Sequence, residues 1–309
     1  MMRIRLLFLA CLLLPVAAIA ADASVEQQGN WTLRTSTSTQ MTKDYFCASE
    51  GEFARGYKMV LARNILGQTS VILTWPDFTG ATGTTVPLRL SVDDVPLRDM
   101  QANLKAPGLL VIPMGWDDEA LNKLTDAKHV TFTSANNKSV FDIKDSSRAF
   151  TRLNSCTASL IDRLPASDGL SADVKATMLK AGLSHTKVIQ VSGNDKASDN
   201  FIVDNIFGGS TLLTDGSADL TTRMLTYVDQ LELICRSRFS SELSAPMPAA
   251  DGEIMTAEAR CDAPHNSSAT TLIFLNTDGK TRVYYFETDG SRADQAKALR
   301  DRLLQSLKS

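Results

Sequence analysis

Apolar and polar residues alternate in short stretches through the first half of the chain, which is the pattern of half-buried strands. In Pro87–Val92 the apolar positions recur at every second residue, and the run ends in the turn Asp93-Asp94. Short strands at this spacing predict an antiparallel sandwich or barrel-like domain, and helical spacing predicts the helix that closes it. The predicted strands are 31–37, 57–62, 70–75, 87–92, 108–112, 129–133 and 140–143, and the predicted helices are 117–127 and 146–164.

The second half mixes helical and strand patterns. A helix, three antiparallel strands and a final helix predict a small α+β domain, so the predicted fold class of the chain is α+β. Gly208-Gly209 is predicted to be a tight turn. The predicted helices are 172–181, 220–236 and one that begins at Ser291, and the predicted strands are 187–191, 201–203, 254–260, 270–275 and 282–286.

A linker is predicted over residues 165–171 between these halves, because Pro165 and Gly169 are residues that interrupt regular structure. The chain of 309 residues is long enough for two domains. We therefore expect a β-rich domain over 21–165 and an α+β domain over 166–309.

The N-terminus has the order of a secretory signal. Arg3 and Arg5 precede an apolar run over 6–19, and Ala18-Ile19-Ala20 has the small residues that signal peptidase recognises. We predict a signal peptide over 1–20 with cleavage between Ala20 and Ala21, and therefore a periplasmic protein. An uncleaved anchor and a lipid-modified Cys11 are the alternatives. The apolar run is short for a membrane span, which takes about 20 residues.

Composition narrows the classes of partner. The formal net charge is −3 and no stretch is strongly basic, which argues against a nucleic-acid partner. The hydrophobic fraction of 43% is typical of a globular chain. After the signal there is no second apolar run of membrane-spanning length, so we expect no membrane span in the mature chain.

Four cysteines remain after the predicted cleavage: Cys47, Cys156, Cys235 and Cys261. An even number in an exported chain indicates disulfides, and none of the spacings is CxxC. Four cysteines allow three pairings. The linker favours Cys47 with Cys156 and Cys235 with Cys261, because crossed pairs would fasten the two halves to each other.

Three features of the first half are shared with a known family. They are the first strand Asn30-Trp31-Thr32-Leu33 followed by Cys47, the alternating strand that ends in an acidic turn at Asp94, and the final strand and helix from Phe141 through Cys156. In these three features the first half of the chain resembles the periplasmic invasion-associated locus B class of β-rich proteins. The resemblance implies a non-enzymatic envelope protein and supplies no ligand. The chain departs from the class in its cysteine pattern and its additional C-terminal half.

One set of residues matches the motifs of penicillin-recognising enzymes. The matches are Ser184-x-x-Lys187, Ser198-Asp199-Asn200 and Lys280-Thr281. That chemistry needs the serine at a helix N-terminus with the lysine one turn later, whereas the residues after Lys187 predict a strand. Position 282 is Arg rather than the Gly of the third motif. The set therefore does not predict an enzyme.

The remaining residues that could carry chemistry do not occur in the spacing of a known motif. His129, His185 and His265 have no metal-ligand spacing and are predicted to be surface residues. Asp117-Asp118-Glu119 lacks the alternating ligands of a calcium loop and is predicted to start a helix. Trp31, Trp75 and Trp116 are predicted to belong to the core rather than to a carbohydrate platform.

No catalytic, cofactor or metal residue is therefore predicted. We expect a non-catalytic binding or accessory protein of the cell envelope, whose partner is an envelope protein or a small ligand. The alternative is an envelope hydrolase with a dispersed catalytic site, or an enzyme-inhibitor-like module. A dispersed triad would bring Ser, His and Asp into one cleft, whereas a binding module would show an exposed patch or groove.

Overall fold

A computed structural model describes residues 25–28, 30–36, 45–144, 146–189, 198–213, 219–235, 237–263 and 266–309. The predicted signal peptide with Ala20 and Ala21, as well as Cys11 and His265, lie outside these residues. The described chain is mixed, with 30% helix and 47% strand, and the predicted α+β class is confirmed. It divides into two compact units between Arg163 and Leu164.

The described residues of the N-terminal unit form ten strands and two α-helices. They are β1 Val25–Gln28, β2 Trp31–Ser36, β3 Phe46–Glu52, β4 Lys58–Asn64, β5 Thr69–Thr74, β6 Thr85–Val92, β7 Val95–Ala106, β8 Leu109–Gly115, α1 Asp118–Asp126, β9 His129–Thr133, β10 Lys138–Asp142 and α2 Ser147–Arg163. All ten strands form one curled antiparallel sheet in the order β1-β2-β3-β4-β5-β8-β7-β6-β9-β10. The sheet is continuous, with β1 and β10 at its two edges.

Helix α2 covers β2, β3 and β4, and this layer holds the core of the N-terminal unit. Phe150 of α2 meets the ring of Trp31 of β2 edge-on, at 4.9 Å between ring centroids. The disulfide between Cys47 of β3 and Cys156 of α2, with Cα atoms 6.1 Å apart, fastens the helix to the sheet. In the chain-entropy model a bridge across 109 residues contributes about 5 kcal/mol.

In the C-terminal unit, the part of the chain that the structure describes forms eight strands and three α-helices. They are α3 Ala172–Lys180, β11 Lys187–Val188, β12 Ser198–Val203, β13 Ile206–Leu213, α4 Leu220–Ile234, β14 Arg238–Leu243, β15 Met247–Ala249, β16 Gly252–Asp262, β17 Ser268–Thr277, β18 Lys280–Asp289 and α5 Ala293–Lys308. The sheet order is β11-β12-β13-β18-β17-β16-β14, and β15 also pairs with β16. A second disulfide joins Cys235, after α4, to Cys261 of β16, with Cα atoms 5.7 Å apart.

Helices cover both faces of this second sheet. Ile273 and Phe274 are consecutive in β17 and belong to different cores, because successive side chains of a strand point to opposite faces. Helices α3 and α5 pack on the Ile273 side, and α4 packs on the Phe274 side. The three predicted strands are present as β16, β17 and β18, but the sheet extends beyond them on both sides.

The prediction of a tight turn at Gly208-Gly209 is wrong, since both glycines lie inside β13. A Cβ on Gly208 would meet the ring of Phe201, and one on Gly209 would meet the ring of Tyr285. The two glycines therefore allow the rings of Phe201 and Tyr285 to lie directly against β13. The turn is at Asp204-Asn205, where both residues have positive φ, as a two-residue hairpin requires.

The predicted linker over 165–171 is ordered against the C-terminal unit. The carbonyl of Pro165 accepts a hydrogen bond from the Val188 N–H at 2.8 Å, and Ala166 forms an isolated bridge with Lys187. Leu170 is buried in the core beneath α3 and α5. The Pro and Gly of this segment thus shape a 3₁₀ turn over Ser167–Gly169 rather than an open connection.

Candidate functional site

A groove of about 450 Å³ lies on the N-terminal sheet, and its shape follows from strand lengths. β9 pairs only with Arg89–Val92 of β6, so the first half of β6 has no strand on that side among the described residues. The Asp93 N–H donates to the His129 carbonyl at 3.0 Å, which shows that the odd-numbered main-chain groups of β6 face β9. Pro87 occupies such a position, where its missing N–H costs no ladder bond.

Three elements line this groove. β6 and β7 contribute its floor, in which Leu88 and Met100 stand opposite each other and are buried. The end of β9 and the turn after it form the rim, and the Ser134 N–H closes that turn by donating to the Asn137 carbonyl at 2.8 Å. The lining residues are Pro87, Leu88, Arg89, Asp99, Met100, Gln101, Thr133, Ser134 and Ala135.

The charged groups of the groove satisfy each other. Arg89 and Asp99 are directly opposite in β6 and β7, and Arg89 Nε donates to Asp99 Oδ1 at 2.8 Å. Both side chains are exposed, at 60% and 75% of their surface. The hydrogen bond from Arg89, together with its charge, holds the pKa of Asp99 below its usual range. Asp99 therefore remains a carboxylate at neutral pH, and the pair gives the groove a fixed polarity.

A second cluster of titratable groups is buried beneath α4 in the C-terminal unit. Burial raises the pKa of Glu287 in β18 to about 8, and it raises the pKa of Tyr227 and Tyr285 as well. The Tyr285 hydroxyl donates to Asn200 Oδ1 at 2.9 Å, across the surface that Gly209 leaves free. Glu287 is 6% exposed, so a neutral carboxylic acid is the form that this environment favours.

The residues that match penicillin-recognition motifs serve the structure of the C-terminal unit. Asp199 accepts hydrogen bonds from the N–H and the hydroxyl of Ser171, which precedes α3, at 2.9 and 2.6 Å. Asn200 binds Tyr285, and Thr281 accepts a hydrogen bond from Arg223 at 2.7 Å. Ser184 lies in the turn after α3 and Lys187 begins β11, so no helix places them one turn apart.

The remaining sequence candidates lie where their local patterns indicate. His129 and His185 are exposed, as predicted. Asp117 caps α1 by accepting a hydrogen bond from the Ala120 N–H at 2.9 Å, which confirms the predicted helix start. Trp31 and Trp75 are core residues, whereas Trp116, which was also predicted for the core, is half-buried and donates from Nε1 to the Leu66 carbonyl at 2.9 Å. Over the described ranges, His, Cys, Asp and Glu side chains nowhere assemble in the groups of three that could hold a metal ion.

The sequence analysis did not find the groove, although one residue signals it. Pro87 stands inside an alternating strand, and proline within a sheet is confined to unpaired positions. The partner strand β7 has Pro96, Asp99 and Asn103 among its residues and few β-branched side chains, so its composition does not predict a strand.

Comparison with solved structures finds similarity to invasion associated protein B from Bartonella henselae, with 19% identity, a TM-score of 0.33, and coverage of 44% of this chain and 99% of that one. The resemblance predicted for the first half is confirmed at this level. The chain is also similar to PsbP (CyanoP) from Synechocystis sp. PCC 6803, with 17% identity, a TM-score of 0.31, and coverage of 39% and 79%. No family model and no curated protein match the chain. Within the described residues no helix has the length and apolar character to cross a membrane.

Proposed function

We propose that the chain is an exported periplasmic protein that binds a partner protein or a small ligand of the cell envelope without catalysing a reaction. The N-terminal groove is the binding site in this proposal. Two disulfides support an oxidising compartment, which agrees with the export signal expected over 1–20.

The observation that carries the proposal is the unpaired first half of β6, which lies beside the groove. An extended segment of a partner can lie there, because the outward main-chain groups of Thr85 and the outward carbonyl of Pro87 have no strand partner among the described residues. The electrostatics favour binding over catalysis. A general acid or base works best with a pKa near the operating pH, whereas the pKa of Asp99 is shifted downward, away from neutrality.

Site-specific photocrosslinking in the envelope tests this proposal. A photoreactive amino acid at the exposed groove position Gln101 should give adducts with envelope components, and the same group at exposed Asn122 of α1 is the matched control. Charge reversal by Arg89→Glu should reduce the Gln101 adducts, because it places two carboxylates opposite each other. Equal labelling from Gln101 and Asn122 would show that the groove is not a binding site.

A further inference from the structure

Strand β14 forms an open edge of the C-terminal sheet. It pairs with β16 on one side, and in the part of the chain that the structure describes no strand pairs with its other side. Its residues are exposed except for Phe239, which is half-buried against the core beneath α4. An exposed edge of six residues presents unpaired main-chain groups that can accept another strand.

The register fixes which groups face outward. The Ser244 N–H donates to the Thr256 carbonyl at 2.9 Å, just beyond the last paired residue of β14. Main-chain groups of an antiparallel pair alternate in direction, so the even-numbered residues of β14 bond to β16. Phe239, Ser241 and Leu243 therefore direct their N–H and C=O groups to the open side.

The charges along this edge allow two antiparallel copies of β14 to place opposite charges next to each other. Arg238 and Glu242 lie two residues before and two residues after Ser240, and neither forms an ion pair with another described residue. When two such strands run antiparallel with Ser240 opposite Ser240, Arg238 of each copy faces Glu242 of the other. We propose that two copies of this chain associate through β14 in this register, with a twofold axis at Ser240.

A shift of this register by one step toward Ser244 loses these contacts. The outward groups belong to odd-numbered residues, so the pairing can shift only in steps that keep odd residues opposite odd residues. The next register places Arg238 opposite Ser244 and Glu242 opposite Ser240 of the second copy, and both charges lose their partners. Between these two registers, the opposite charges at the two ends of β14 favour the one centred on Ser240.

Apolar surface flanks the same edge. The disulfide holds the end of α4 at Cys261, and Cys261 is the cross-strand partner of Phe239. Leu233 and Ile234 end the helix there with 82% and 40% of their surface exposed. In the proposed register, Phe239 and Leu243 of the second copy are diagonal neighbours, a separation that an aromatic side chain spans. The second copy thus meets hydrogen-bonding, charged and apolar groups along one line.

Charge reversal with mixing tests the proposal on the full mature chain. Sedimentation equilibrium should show a dimer, and Arg238→Glu or Glu242→Arg alone should weaken it about tenfold or more, because each variant places like charges opposite one another twice. An equimolar mixture of the two variants should restore association, since every 238–242 contact then joins opposite charges. Lys280→Glu changes an exposed charge in the β17–β18 turn and should leave the dimer unchanged.

A main-chain variant provides an independent measurement. Ser241→Pro removes an outward N–H that the β14–β16 ladder does not use, so it should weaken the dimer while far-UV circular dichroism stays native. A chain that remains monomeric at the highest attainable concentration would overturn the proposal. A dimer that resists both single charge reversals, or a mixture that fails to restore association, would overturn it equally.

Discussion

Replacing Glu287 with Gln should change how the stability of the C-terminal unit depends on pH. Glu287 lies in β18 beneath α4, and burial raises the pKa of its carboxyl to about 8 in the folded chain. An unfolded glutamate titrates near its ordinary value of 4.5. Between these two values the folded state keeps a proton that the unfolded state has lost, so the free energy of unfolding falls as the pH rises.

The size of this effect follows from the two pKa values. The slope approaches about 1.4 kcal/mol per pH unit between them, which gives a loss on the order of 3 kcal/mol from pH 5 to pH 8. The contribution is fully present below the unfolded pKa and is lost as the pH rises through the folded pKa. Glu287→Gln keeps the shape of the neutral acid and cannot ionise. It should match the parent near pH 5 and exceed its stability by roughly 3 kcal/mol at pH 8.

The positions of the tryptophans supply an internal control for this assay. Trp31, Trp75 and Trp116 all belong to the N-terminal unit, so their fluorescence reports its unfolding, whereas far-UV circular dichroism reports both units. Urea titrations at pH 5, 6, 7 and 8 should show a pH-dependent transition by dichroism that the variant removes. Exposed Glu253→Gln should leave the slope unchanged. Identical slopes for the parent and Glu287→Gln would refute the reasoning.

Further measurements follow from the structure and from the N-terminal sequence. Gly209→Ala should lower the free energy of unfolding by about 1–3 kcal/mol, because the new Cβ would enter the ring of Tyr285; calorimetry of the variant checks this, and an unchanged transition temperature would contradict it. Loss of the Cys235–Cys261 bridge, whose cysteines are 26 residues apart, should lower the free energy of unfolding by about 3.5 kcal/mol in urea titrations of the double serine variant. Non-reducing peptide mapping should find this bridge together with Cys47–Cys156. N-terminal sequencing of protein from the envelope should begin near Ala21, and an intact Met1 would contradict the export signal.

The sequence predicts those elements whose side chains face a single core. The strand at Leu88 and Leu90 and the helix after Asp117 follow from regular periodicity, because burial on one face imposes it. The strand β3 is missed, although it lies in the middle of the N-terminal sheet. Its sequence FCASEGE has few β-formers, and its place depends on contacts from distant residues, such as the ring of Trp31 that lies against Gly51.

The groove and the open edge could not be predicted because they depend on which strands end early. β9 stops at Thr133 while β6 continues, and β14 is the outermost strand on its side of the sheet among the described residues. Sequence patterns indicate that a segment is extended, but its neighbours are fixed by pairings between residues far apart in the chain. The same holds for Glu287, whose local pattern is that of an ordinary strand residue and whose raised pKa comes from a helix that begins 67 residues earlier, at Leu220.

Two carboxyl groups of the C-terminal unit, the half-buried Glu258 and the buried Glu287, act on stability in opposite directions. Burial alone would raise the pKa of Glu258, but hydrogen bonds from Lys297 and Arg300 outweigh it and lower that pKa. Glu258 therefore contributes stability above the unfolded pKa, and this contribution is lost as the pH falls through its lower folded value. Burial raises the pKa of Glu287 without an opposing charge. Its contribution to stability is therefore present below the unfolded pKa and is lost as the pH rises toward 8. The summed contribution of these two groups is greatest at mildly acidic pH, where Glu258 is ionised and Glu287 still holds its proton.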